Sequence, residues 1–226
     1  MAVVVAVESA DLDHLFLFIL ASVIFEVVVL SHIPIRLTAS GDVEIRRIVN
    51  MTSGKSTNSN TVEVDGIRFK TLVPERVLMI PTREDVKTPV QFGIRVTNLS
   101  SIPYRFIFFG LMPELQDAKG VVIERTWGRN ATKAPQEADF LLAMPGESLA
   151  FFVEGQLYCY QDKFGLGGYE SSGGAWAFRT LNPGRYQVRF TYENRDAVRK
   201  IYYGGSVEGL WTGKASTPWE EFRLVY

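Results

Sequence analysis

The sequence predicts an all-β protein built as an antiparallel β-sandwich, and three observations predict it. From about Ile67 onward, short segments with period-two alternation recur. Turn residues separate them at Asn98–Pro103, Asp117–Gly120, Pro145–Gly146 and Pro183–Gly184. Aromatics at 12%, with 19 glycines and 10 prolines, fit strands joined by many tight turns. No long helical period and no sustained internal repeat interrupts that pattern.

Taken in order, the first element is "LFLFILASVIFEVVVL", Leu15–Leu30, with Glu26 as its single charge. It is apolar all round and has no amphipathic stripe. Its length falls short of the about 20 residues a spanning helix needs. Extending it to Ile35 would put Glu26 in hydrocarbon, at about 2–3 kcal/mol. Glu8, Asp11 and Asp13 precede it and no Lys or Arg comes before Arg36, unlike the start of a secretory signal. Three readings stay open: a membrane anchor or export segment, a buried element of the fold, and residues upstream of the functional start. As an anchor, with Arg36, Arg46 and Arg47 on its C-terminal side, it would hold the folded domain in the cytoplasm; as an export signal, on the other side. The chain is therefore expected to be membrane-associated or exported, with the side undecided.

These features divide the chain into an apolar segment (1–35), an extension with a polar linker (36–66) and a sandwich domain (67–226). The linker's Ser, Thr, Asn and Gly mark solvated chain. In the domain, Val90, Phe92, Ile94 and Val96 share one strand face. Strands are expected at Tyr104–Gly110, Gly120–Gly128 and Glu147–Gly155. "GRYQVRFTYEN" (Gly184–Asn194) alternates Tyr186, Val188, Phe190 and Tyr192 against Gln187, Arg189 and Thr191, and "WEEFRLVY" is the closing strand. Between them, "GLGGYESSGG" (Gly165–Gly174) is expected to be a mobile loop.

Three of these stretches carry a resemblance. "LNPGRYQVRF" resembles the late strand of immunoglobulin-like sandwiches, where a turn leads into a strand with an inward tyrosine. "MPGESLAFFVEG" is similar to the strand that precedes it in bacterial members, and "GLWTGKASTPWEEFRLV" to their closing hairpin. The nearest family in pattern is the intracellular proteinase-inhibitor family of bacterial immunoglobulin-like domains, over roughly Leu72 to Tyr226. The resemblance implies an immunoglobulin-like topology. The chain departs from it in having no cysteine pair and a longer, Gly-rich insert from Tyr158 to Gly174, so no inhibitory loop is carried over.

Several chemistries are disfavoured by composition. The 226 residues carry 24 basic and 25 acidic side chains, so no global field favours nucleic acid. The two histidines, His14 and His32, flank the apolar segment, which leaves the domain without an imidazole base or metal ligand. Cys159, between two tyrosines, reads as a small buried hydrophobe. "SGKS" (Ser53–Ser56) fails as a phosphate loop because Val49 stands where the first glycine belongs. Glu137, Asp139, Asp162 and Glu170 show no spacing that pairs them; a carboxylate enzyme would need two buried carboxyls facing one cleft. Sequons at Asn50, Asn98 and Asn130 are accounted for by turn composition. No cofactor or metal is expected.

What remains is aromatic. Trp127, Tyr158, Tyr160 and Trp176 join Tyr169, Tyr202, Tyr203, Trp211 and Trp219 near strand ends and loops. Tyr202, Tyr203 and Trp211, in "YYGGSVEGLWTG", are the preferred exposed patch, with Tyr169 and Trp219 as further binding candidates. The expectation is a non-catalytic, membrane-associated module that binds a protein partner through loops and strand edges. The alternative is a carbohydrate-binding module with coplanar exposed aromatics.

Overall fold

A computed structural model describes residues 60–129, 133–161, 163–202 and 204–226. The apolar segment and most of the linker lie outside the described residues. Among the described residues the strands are β1 (Val62–Val64), β2 (Ile67–Leu72), β3 (Val77–Met79), β4 (Thr88–Asn98), β5 (Tyr104–Phe106), β6 (Pro113–Asp117), β7 (Val122–Ile123), β8 (Thr126–Arg129), β9 (Leu141–Ala143), β10 (Ser148–Tyr160), β11 (Lys163–Tyr169), β12 (Gly174–Leu181), β13 (Gly184–Asn194), β14 (Arg199–Lys200), β15 (Ser206–Val207), β16 (Gly213–Ser216) and β17 (Glu220–Val225). A single 3-10 turn, Glu137–Asp139, is the helical structure among them.

The all-β expectation holds, and the strands build a two-layer sandwich. One sheet runs β1-β2-β4-β10-β11-β12-β8; the other runs β3-β17-β13-β6-β7, with β16 also paired to β13. Pairing is antiparallel apart from β3, which lies parallel to β17 along one edge. The alternating faces meet between the layers. Val90, Phe92, Ile94 and Val96 of β4 are buried, as are Tyr186, Val188, Phe190 and Tyr192 of β13. Phe92 packs on Phe222 of β17 with ring centroids 4.9 Å apart, and Phe69 of β2 on Tyr192 at 6.0 Å. Each such ring contributes about 1.5–3 kcal/mol by leaving water.

Four expectations are corrected. β1 and its turn already belong to the seven-stranded sheet, so ordered structure begins inside the stretch read as linker. Tyr104–Gly110 is a strand only to Phe106, and Gly120–Gly128 is two strands, β7 and β8, in different sheets. The closing segment is not a hairpin: β16 and β17 each pair with β13, at its far and near ends. Thr217, between them, is buried and receives the Phe190 amide at 2.9 Å on its hydroxyl.

The fourth correction concerns the Gly-rich stretch, which is not a loop. It forms β11 and the turn into β12, and its glycines make room for aromatic rings. Trp176 lies over Gly155 and Gly168; a Cβ on Gly168 would meet the Glu154 carbonyl and come within 2.7 Å of the indole. On the opposite face Tyr158 lies over Gly165 in the same way. Sequence composition suggested flexibility because glycine is the default loop residue, yet here the missing side chain is filled by a neighbour's ring. The strand that follows is pinned by Tyr186, whose hydroxyl donates to the Asn182 carbonyl at 2.9 Å and accepts the Asn182 amide at 3.0 Å.

Gly168→Ala should therefore destabilise the fold by about 1–3 kcal/mol or more, since neither backbone nor ring can yield. Gly128→Ala, where an added Cβ meets nothing within 4 Å, should change stability by less than about 0.5 kcal/mol. Urea denaturation of the two variants checks both.

Candidate functional site

One end of the sandwich gathers four connections. These are residues 107–112, residues 133–140, the turn between β11 and β12, and the β14–β15 hairpin. Ile107, Phe140, Val207 and Leu210 make a small apolar cluster beneath them, with Phe109 and Ile201 packed against it. Backbone bonds tie the connections together: the Lys133 amide to the Ser172 carbonyl at 2.9 Å, and the Tyr202 amide to the Pro135 carbonyl at 3.2 Å.

Glu170 is the centre of this end. Its side chain has no exposed surface, and a buried carboxylate is tolerated only when its lone pairs are filled. They are. Oε1 accepts from Ser172 Oγ at 2.6 Å, the Gly174 amide at 2.8 Å and Arg129 Nη2 at 3.2 Å. Oε2 accepts the Gly110 and Ser172 amides, each at 2.8 Å. Burial pushes the acid's pKa up, but the Ser172 hydroxyl and the three amides outweigh it and hold the carboxyl below the ordinary glutamate value. Gly174 has to be glycine, because a Cβ there would sit 2.7 Å from both Glu170 Oε1 and Trp127 Nε1.

The same contacts shape the surface above. Arg129, held by Glu170 and by Ser172 Oγ at 2.6 Å, lies over Trp127 with its guanidinium 5.3 Å from the ring centroid. Trp127 is 50% exposed on edge strand β8. Lys133 lies 5.8 Å from the half-buried Phe109 ring and pairs with Asp139 at 3.6 Å. Tyr202, on the hairpin, is 68% exposed. The result is a surface of aromatic and cationic side chains in which Arg129 is supported by the buried Glu170 and Ser172.

The sequence-derived candidates do not form one patch. Tyr202 stands on this end, while Tyr203 lies outside the described residues. Trp211 is corrected: it is 1% exposed and packs on Phe69, Phe106 and Tyr192, because its turn folds back alongside β5 instead of projecting. Trp219 is half-buried on the second sheet, under Arg189 at 4.4 Å. Tyr169 is exposed on the outer face of the first sheet, in register with Ala175 and Gly128. Trp127, one residue from Gly128, points to the other face. The two rings therefore stand on opposite faces of the first sheet.

Trp127, Arg129 and Glu170 are the residues that were missed as a unit. A signal existed in "YESSGG": an acid followed by small residues whose amides and hydroxyls can turn back onto it.

Other chemistry at the surface is already occupied. Glu220, the other buried carboxylate among the described residues, binds Arg76 at 2.6 Å and Asn60 on β17, away from Glu170. No paired carboxyls face one cleft among the described residues. A shallow depression of about 410 Å³ is lined by Glu193, Arg195 and Lys214, which pair with one another. Cys159 is buried. The sequon at Asn98 is closed, because that side chain is fully buried and its Nδ2 donates to two carbonyls. Asn50 and Asn130 lie outside the described residues. No helix among the described residues is long and apolar enough to cross a membrane.

No family model and no curated protein matches the chain. Among solved structures it is similar to AvmM, which catalyzes macrocyclization in alchivemycin A biosynthesis. The identity is 14% and the TM-score 0.23, over 73% of this chain and 94% of that one. A likeness that low carries no structural argument.

Because Glu170 is held below its ordinary value, the unfolded chain binds the proton more readily than the folded one. Its stabilisation is complete above the ordinary glutamate value and is lost as pH falls through the folded one. Glu170→Gln should cost on the order of 3 kcal/mol at neutral pH. The gap between variant and native protein should narrow as denaturation is repeated at pH values descending below the ordinary glutamate value.

Proposed function

We propose that this chain is a non-catalytic, membrane-associated interaction module that binds a protein partner through the Trp127–Arg129–Tyr202 end of its sandwich. One observation carries the reading: a half-exposed tryptophan is held rigid by an arginine that is itself fixed on a buried carboxylate. Trp, Tyr and Arg are the side chains that dominate protein interfaces, and a surface ordered before binding loses less entropy on association. Loops at the end of a rigid sandwich are where such domains place recognition. The saturated lone pairs of Glu170 suit a strut.

The scaffold, in this reading, is immunoglobulin-like. Supporting it is the tyrosine corner formed by Tyr186 on the backbone of Asn182, at the entry of β13. The parallel edge strand β3 is a departure from that plan. Membrane association draws on the apolar Leu15–Leu30 segment.

In-cell photo-crosslinking of the full chain tests the binding end. A photoreactive residue at Tyr202 should give a discrete protein adduct, and Trp127→Ala should cut its yield about tenfold or more. A photoreactive residue at Lys119, at the opposite end of the sandwich, should not give that adduct. No adduct from Tyr202, or the same adduct from both positions, contradicts the reading.

A further inference from the structure

A second surface lies beside Asn98. The Asn98 side chain is fully buried and staples two loops: Nδ2 donates to the Ile102 carbonyl at 2.8 Å and the Ala143 carbonyl at 2.9 Å. Its Oδ1 accepts from the Ser100 amide at 3.0 Å and the Ser100 hydroxyl at 2.6 Å. The turn after β9 is tied to the same residue, through the Gly146 amide on the Asn98 carbonyl at 2.7 Å. These bonds present four apolar side chains to solvent, Leu99, Ile102, Leu142 and Met144, each 40% exposed or more. Single exposed hydrophobes need no explanation, but four on the segments around one staple, Leu142 on β9 and the others on the adjoining loops, form a patch.

Cations lie farther along the same strands, on the outer face of the first sheet. Lys70 of β2 stands directly opposite Arg95 of β4. Like charges in that relation destabilise a sheet. No carboxylate pairs with either among the described residues, and Arg95 Nε is buried without a hydrogen-bond partner. Arg68, one step nearer the apolar loops, pairs with Glu63 at 3.3 Å. Of the nearby acids, Glu63 is thus engaged, Asp65 sits in the β1–β2 turn, and Glu147 accepts the Met144 amide at 3.0 Å. Among the described residues, no acid neutralises the Lys70–Arg95 pair.

We propose that this end docks on an anionic lipid bilayer, with Ile102 and Met144 entering the interface and Lys70 and Arg95 meeting the headgroups. Apolar insertion flanked by positive charge is the combination that holds proteins on such surfaces, and the unmatched cationic pair argues for a negative partner. The inference rests on the membrane association proposed above and is independent of the protein-binding end, which involves other residues.

The test uses the full chain, in a Cys159→Ser background, with an environment-sensitive fluorophore on Ile102→Cys. It is added to phosphatidylcholine vesicles with or without phosphatidylglycerol. A blue shift is expected only with phosphatidylglycerol, and a fluorophore on Val122→Cys should not respond. Lys70→Gln with Arg95→Gln should lower the docked-to-undocked ratio roughly thirtyfold; Lys70→Gln alone, at a half-buried position, serves if the double variant fails to fold and should lower it roughly fivefold. A chain that floats with vesicles while the Ile102 fluorophore stays silent overturns this docking and leaves membrane association standing. A chain that floats with no vesicle overturns both. A response that is equal without phosphatidylglycerol, or reproduced by inorganic phosphate alone, also overturns the docking.

Discussion

A carboxylate with no exposed surface has to be surrounded by donors, and that requirement organises one end of the sandwich. Glu170 draws in the amides of Gly110, Ser172 and Gly174, the Ser172 hydroxyl and the Arg129 guanidinium. Three separate stretches of chain are fixed by one side chain: the loop after β5, the edge strand β8 and the turn into β12. Arg129 lies over Trp127 while bound to both Glu170 and Ser172, so the exposed tryptophan is backed by a buried hydrogen-bonded group. Asn98 plays the neutral counterpart beside the apolar loops, with both its amide and its carbonyl oxygen occupied. Each organises its own surface by satisfying backbone groups from loops distant in sequence.

The two layers were largely legible from alternation. Val90 to Val96 and Tyr186 to Tyr192 alternate because one face of each strand packs and the other meets water, and that pattern depends only on local chain geometry. Partnering was less legible. Nothing in "GVVIERTWG" says that the chain leaves one sheet between Ile123 and Thr126 and joins the other, because both halves have the same strand texture. The Gly-rich stretch misled for a related reason. Glycine signals a turn when read alone, but Gly155, Gly165 and Gly168 are small because Trp176 and Tyr158 lie across them. That relation is between strands and has no fixed spacing in sequence.

Exposure of the aromatic side chains was only partly legible. Of those read near loops, Tyr202 does project. Trp211, ten residues from the hairpin tip at most, turns inward because its segment runs alongside β5 and delivers the indole to the aromatic core. Trp127 is exposed because its strand is an edge strand among the described residues. The positions of Glu170 and Arg129, far apart in sequence and 3.2 Å apart in the fold, follow from the β8–β12 register that no local motif encodes.

The central claim is that Glu170 orders this end and leaves the rest of the sandwich alone. Amide hydrogen exchange on the full-length Glu170→Gln variant tests it most directly. Protection should fall across residues 107–111, 126–129 and 170–174 while β4 and β13 keep theirs. Uniform loss throughout both sheets, or unchanged protection at the loop end, would contradict the account.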